Sequence, residues 1–75
     1  MRAMIYVGLT DDPKQRREQH GNPPDWAQTP RFSTENEARA WEKQQLARPN
    51  TQGGPGGSGW RYGYWYTITS TTRED

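Results

Sequence analysis

Tyr6-Val7-Gly8-Leu9-Thr10-Asp11-Asp12-Pro13-Lys14-Gln15-Arg16-Arg17-Glu18-Gln19-His20 is the stretch on which the reading of this chain turns. At its start, Ala3, Ile5 and Val7 alternate with Met4 and Tyr6, which predicts a strand over residues 3–9 weakened at its end by Gly8. Thr10-Asp11-Asp12-Pro13 then opens a helix, because the Asp12 carboxylate can cap free backbone amides and Pro13 suits the first helical position. The helix is expected over 13–20, with Gly21 supplying a left-handed stop and Pro23-Pro24 forbidding continuation. Lys14 to Gln19 holds no apolar residue, so no buried stripe explains this helix. Its polar side chains are what it presents: Arg16 and His20, four apart, share a face and can converge on one phosphate.

Moving outward, Asn22 to Arg31 contains three prolines and reads as an irregular connection anchored by Trp26. Thr34-Glu35-Asn36-Glu37 is a capping box that starts a second helix, expected over 35–47 with Ala38, Trp41 and Gln45 on one line and Leu46 beside them. A glycine-rich run gives a flexible loop over 49–59. Trp60 to Thr69, rich in aromatic and β-branched residues, predicts a strand with Tyr62, Tyr64 and Tyr66 on one face and Trp65 on the other. Residues 71–75 read as a polar tail. The expected fold is α+β: a small antiparallel sheet of strands 3–9 and 60–69, with Arg31-Phe32 as a remnant third strand, packed with two helices in a single domain over 1–75.

Seventy-five residues, 28% of them hydrophobic, support only a small core, so the aromatic 12% has to fill much of it. No cysteine is present, which excludes disulfide scaffolds and thiolate metal sites and fits a reducing cytoplasm. No apolar run approaches the ~18–20 residues needed to cross a bilayer, so no membrane role is expected. The net charge of +1 does not by itself advertise a polyanion partner, although eight of the ten cations are arginine, whose planar fork suits phosphate.

The quoted stretch resembles the second half of the GIY-YIG nuclease signature. In that family the tyrosine of the YIG strand is followed by a turn carrying Thr and Asn or Asp, then a short helix with an arginine and a histidine four residues later. Tyr6, Arg16 and His20 stand at those positions. Phe32 to Glu42 resembles the family's second helix, where Ala, an aromatic and a metal-binding glutamate recur, and Glu42 stands at the glutamate. The resemblance covers Ile5 to Leu46 and implies phosphodiester chemistry on nucleic acid, DNA ahead of RNA. Arg16 would stabilise charge on the phosphoryl oxygens, Tyr6 or His20 would position or deprotonate a water, and Arg16 with Arg17 would hold the nucleic acid. Glu42 would hold one Mg²⁺ or Mn²⁺.

The family's own first strand, which carries the GIY tyrosine, would precede Tyr6, where five residues stand. Pairing 60–69 antiparallel with 3–9 would restore it from the other side, with Tyr64 as the replacement ring and Gly63-Tyr64-Trp65-Tyr66 resembling the GIY element in permuted order. Three functions compete on these grounds. A nucleic-acid-binding domain with weak or lost hydrolysis ranks slightly ahead, with an active metal-dependent endonuclease or a protein-interaction domain without a nucleic-acid role as the alternatives. A separate possibility is an aromatic ribbon, Trp60–Tyr66, that stacks on single-stranded bases.

Overall fold

The structure is a computed structural model that describes residues 3–54 and 59–74. Its elements are β1 (Ile5–Thr10), α1 (Pro13–Gln19), β2 (Ala27–Gln28), α2 (Glu35–Leu46), β3 (Thr51–Gln52) and β4 (Tyr62–Thr67). The fold is α+β, with a four-stranded sheet in the order β2-β4-β1-β3. Strands β1 and β4 are the long central pair and run antiparallel, with Tyr6 opposite Tyr66, Val7 opposite Trp65 and Gly8 opposite Tyr64.

Two details differ from expectation. The short strand falls at Ala27–Gln28 and not at Arg31-Phe32. Pro30 has no N–H and interrupts the ladder, although Thr29 and Phe32 still donate their amides to the carbonyls of Gly63 and Arg61 at 2.8 and 2.7 Å. The sheet is also mixed, because Thr51–Gln52, inside the expected flexible loop, pairs parallel with Ile5 and Tyr6. Asn50, at φ 58°, makes the turn that brings β3 alongside, and its carbonyl accepts the Ile5 amide at 2.8 Å. The part of the loop over 55–58 lies outside the described residues.

Helix ends follow their sequence signals. The Asp12 side chain accepts the Gln15 amide at 3.1 Å, Pro13 opens α1, and Gly21 takes φ 86°. No residue of α1 is buried, as its polar sequence requires. Thr34 caps α2 by accepting the Glu37 amide at 3.2 Å. The reciprocal bond from Glu37 is not among those formed by the described residues.

The central pair has two differently filled faces. On one, Tyr6, Tyr64 and Tyr66 lie almost fully buried, and Trp26 stacks on Tyr64 with ring centres 4.4 Å apart and planes 11° apart. His20, the cap of α1, packs against all three tyrosines on this face. On the other face lie Val7, Leu9 and Trp65, covered in part by α2 through Ala38 and Trp41. Two glycines permit the close approaches: a Cβ on Gly8 would fall 2.5 Å from Tyr64 Cζ, and one on Gly63 would fall 2.6 Å from Trp41 Cη2. Asp11 ties the α1 turn to the entry of β4 by accepting the amides of Trp60 and Arg61 at 3.1 and 3.2 Å and pairing with the Arg61 guanidinium at 3.0 Å.

Candidate functional site

Three of the expected site residues meet directly. Strand alternation puts Tyr6 and Tyr64 on the same face, where the rings stack at 6.3 Å and 21°. Helix α1 ends at His20, whose amide donates to the Arg16 carbonyl at 3.1 Å, and this delivers the imidazole, 2% exposed, onto the pair. His20 Nε2 lies 2.9 Å from the Tyr64 hydroxyl, while the Tyr6 ring lies 4.9 Å from the imidazole centre. The expected pairing of the last strand with the first is present, and the even-numbered tyrosines face Tyr6.

His20 is held from its other side by residues that sequence reasoning left out. Nδ1 contacts the Arg73 carbonyl and lies 2.8 Å from the Tyr66 hydroxyl. The Tyr66 hydroxyl in turn donates to Glu74 Oε2 at 2.8 Å. A carbonyl only accepts, so the neutral imidazole carries its proton on Nδ1. Nε2 is then a lone pair, and the Tyr64 hydroxyl donates to it. Residues 71–74 therefore do not hang free as a tail: the Arg73 amide also donates to the His20 carbonyl at 3.0 Å. The signal for Tyr66 was its shared parity with Tyr64, but nothing local in Thr71-Thr72-Arg73-Glu74 pointed to His20.

No known protein family, curated protein or solved structure matches the chain.

Arg16 and Glu42 act on the same hydroxyls through their charges. Burial raises the Tyr6 pKa above its ordinary value, against a lowering by the Gly54 backbone and Arg16, with Glu74 and Glu42 raising it further. Burial also raises that of Tyr64 strongly, with Tyr6 and Glu42 adding to the rise and Arg16 opposing it. Both hydroxyls thus feel the Arg16 and Glu42 charges, and Tyr6 that of Glu74 as well, without hydrogen-bonding to any of the three. The Arg16 side chain, half-buried, makes no hydrogen bond or ion pair with the described residues. Glu42 has Ala38 one turn earlier at the helix–sheet contact, keeps 24% of its side chain exposed and makes a loose 3.7 Å contact with Arg39. Helix α2 rests on the opposite sheet face from α1, so the Glu42 charge acts on the hydroxyls at a distance and not by contact. Arg17, exposed, spends one N–H on the Pro23 carbonyl at 3.4 Å.

For a metal, the donor set is narrow. Among the described residues no three His, Cys, Asp or Glu side chains gather to cage an ion. Glu42 as a lone, partly exposed carboxylate fits Mg²⁺ or Mn²⁺, which retain several of their own waters, and does not fit a tetrahedral zinc centre.

Proposed function

We propose that this chain is a metal-dependent endonuclease of the GIY-YIG type, with its two tyrosines supplied by β1 and β4. The observation that carries the reading is the convergence of the Tyr6 and Tyr64 rings on His20 within the field of Arg16 and Glu42. It supports hydrolysis over binding alone, because a tyrosine hydroxyl hydrogen-bonded to an imidazole is a proton path that binding would not require. A base-stacking ribbon loses support, since the ring faces of Tyr64 and Tyr66 are taken up by Trp26 and Tyr6 and leave none for a base. The protein-interaction reading keeps one feature, a groove of about 620 Å³ beside α2 lined by Ile5, Val7, Trp41 and Trp65.

The chemistry follows from the protonation states. Burial disfavours the phenolate at Tyr64, so this residue does not wait as a preformed base. It acts as a relay: as an attacking water loses a proton to Tyr64 Oη, Tyr64 passes its own proton to His20 Nε2. The water oxygen bonds to phosphorus, the bond from phosphorus to the leaving oxygen breaks, and that oxygen takes a proton from solvent. Arg16, with no protein partner among the described residues, neutralises charge building on the phosphoryl oxygens. A cation on Glu42 would supply Lewis-acid polarisation of the phosphate. Tyr6, its hydroxyl beside Gly54, orients the attacking water.

The test is incubation with branched, single-stranded and double-stranded DNA and RNA, with Mg²⁺ or Mn²⁺ present or chelated. Metal-dependent cleavage is expected, DNA first, and lost in Arg16→Ala and Glu42→Ala, whose partly exposed side chains leave stability within about 0.5 kcal/mol. Tight binding without cleavage under every condition would replace this reading with the binding domain, held by Arg16 and Arg17.

A further inference from the structure

The hydrogen-bond chain behind His20 has no part in the resemblance on which the proposed function rests. From Nδ1 it runs to the Arg73 carbonyl and the Tyr66 hydroxyl, and from Tyr66 to the Glu74 carboxylate. Every buried side-chain nitrogen and oxygen among the described residues has a partner. For a neutral imidazole this arrangement fixes the proton on Nδ1: Nδ1–H donates to Arg73 and Tyr66, the Tyr66 hydroxyl donates to Glu74 with the Arg73 carbonyl at 3.3 Å as its second acceptor, and Tyr64 donates to Nε2.

We propose that Tyr66, Glu74 and the Arg73 backbone form a positioning clamp that fixes the His20 tautomer and supplies the counter-charge when His20 takes up the proton from Tyr64. The geometry has the logic of a base held by a third group: the carboxylate does not gain the proton but stabilises the imidazolium that forms. Glu74 does so at one remove, through a hydroxyl 2.8 Å from each partner. The proton balance closes at His20. One proton leaves water for Tyr64 Oη, one leaves Tyr64 for Nε2, and the proton already on Nδ1 stays there, bridging to the clamp. Without the clamp the imidazole is free to carry its proton on Nε2, where it blocks the relay, because Tyr64 would then face a donor.

The inference rests on the proposed hydrolysis for its catalytic half, but the tautomer half stands alone and is read without substrate. His20 is the one histidine in the chain, so ¹⁵N-histidine labelling gives a single pair of ring resonances. The wild-type protein, and equally the Glu42→Ala variant, should show the Nδ1-protonated tautomer. A chain ending at Thr72 removes the Arg73 carbonyl and Glu74 and should shift the population to the Nε2-protonated form. If that shortened chain does not fold, Tyr66→Phe is read in its place: the Arg73 carbonyl still accepts from Nδ1–H, so the Nδ1 tautomer should persist, while the link to Glu74 is cut and kcat should fall as in Glu74→Gln. Glu74→Gln keeps an acceptor for Tyr66 but removes the charge. It should retain the Nδ1 tautomer while kcat falls roughly tenfold to a hundredfold, the range seen when the partner of a functional histidine is lost, with KM little changed. An Nε2-protonated wild type, or a tautomer indifferent to loss of the clamp, overturns the proposal. So does unchanged kcat in Glu74→Gln. Absence of cleavage in the wild type overturns the catalytic half together with the proposed function, and leaves the tautomer lock to be decided by the resonances.

Discussion

Replacing Gly8 by alanine probes the fold and the site at once. The added Cβ would lie 2.5 Å from Tyr64 Cζ and 2.9 Å from Cε2, where an ordinary carbon contact needs about 3.5 Å. The ring must therefore retreat by about 1 Å. It has no slack to do so, being stacked on Trp26 at 4.4 Å and bonded to His20 at 2.9 Å. Overpacking costs about 1–3 kcal/mol. Breaking the Tyr64–His20 bond in a buried setting costs about 1–3 kcal/mol more. Removing a strand glycine returns about 0.5–1 kcal/mol of unfolded-state entropy. The net loss is about 1–5.5 kcal/mol, a large part of the roughly 4–11 kcal/mol that a chain of this length holds. Urea denaturation measures it, and each kcal/mol should lower the thermal midpoint by about 4–8 °C. Gly53→Ala is the control: its Cβ would meet Leu46 Cδ2 at 3.1 Å and the Val7 carbonyl at 3.2 Å, a mild crowding that an exposed leucine can partly relieve. Gly8→Ala within about 0.5 kcal/mol of wild type would show that Tyr64 does not lie across β1 and would remove the basis of the site.

Thr34→Ala should cost about 1 kcal/mol in urea midpoint terms through loss of the α2 cap, with Ser33→Ala nearly neutral. Equal shifts would misplace the cap. Tyr64→Phe removes one hydroxyl and reads from sequence as almost neutral in stability, but it strands His20 Nε2 in a buried site and should cost about 1–3 kcal/mol while reducing any cleavage. A thermal midpoint equal to wild type would deny the His20 bond. The Asp11 carboxyl is held below its ordinary 3.8 by the amides of Trp60 and Arg61 and then by the Arg61 side chain. Because its folded pKa is depressed, it stabilises the fold above its unfolded value and loses that contribution as pH falls through the folded one. Urea midpoints should therefore fall from about pH 4 downward more steeply in wild type than in Asp11→Asn. Parallel profiles would refute the assignment.

The parts of the fold that sequence revealed are those with enough residues to show a period or a chemical stop. Tyr62 to Thr67 alternates over six residues, and Asp12-Pro13, Gly21 and Thr34 mark helix ends by the bonds they make or forbid. Ala27–Gln28 and Thr51–Gln52 are two residues each, too short for any period, and exist because β4 and β1 offer open edges beside them. The site divides along the same line. Tyr6, Arg16 and His20 are local to one segment, and Tyr64 follows from strand parity once β1 and β4 are paired. Tyr66 and Glu74 escaped notice because their role depends on 71–74 folding back across His20, which no local pattern encodes. Glu42 on the far side of the sheet from α1 was equally invisible, since helix periodicity gives a face but not which side of a sheet it covers.

The same back-folding sets a timetable for the molecule. His20 meets Tyr64 and Arg73 across 44 and 53 positions, so the imidazole has none of its native hydrogen bonds until nearly all the intervening chain exists. At ordinary synthesis rates of roughly 5–20 residues per second, His20 waits about 3–10 s for Arg73 to be made. During that interval β1 lacks its β4 partner and α1 has only Tyr6 of the three tyrosines to dock on, a state prone to stray strand pairing. Closing so long a span also places the domain among slow, high-contact-order folders for its size. The proposed proton relay would thus be silent on the nascent chain, and any hydrolysis by this route would begin only after the sheet has closed.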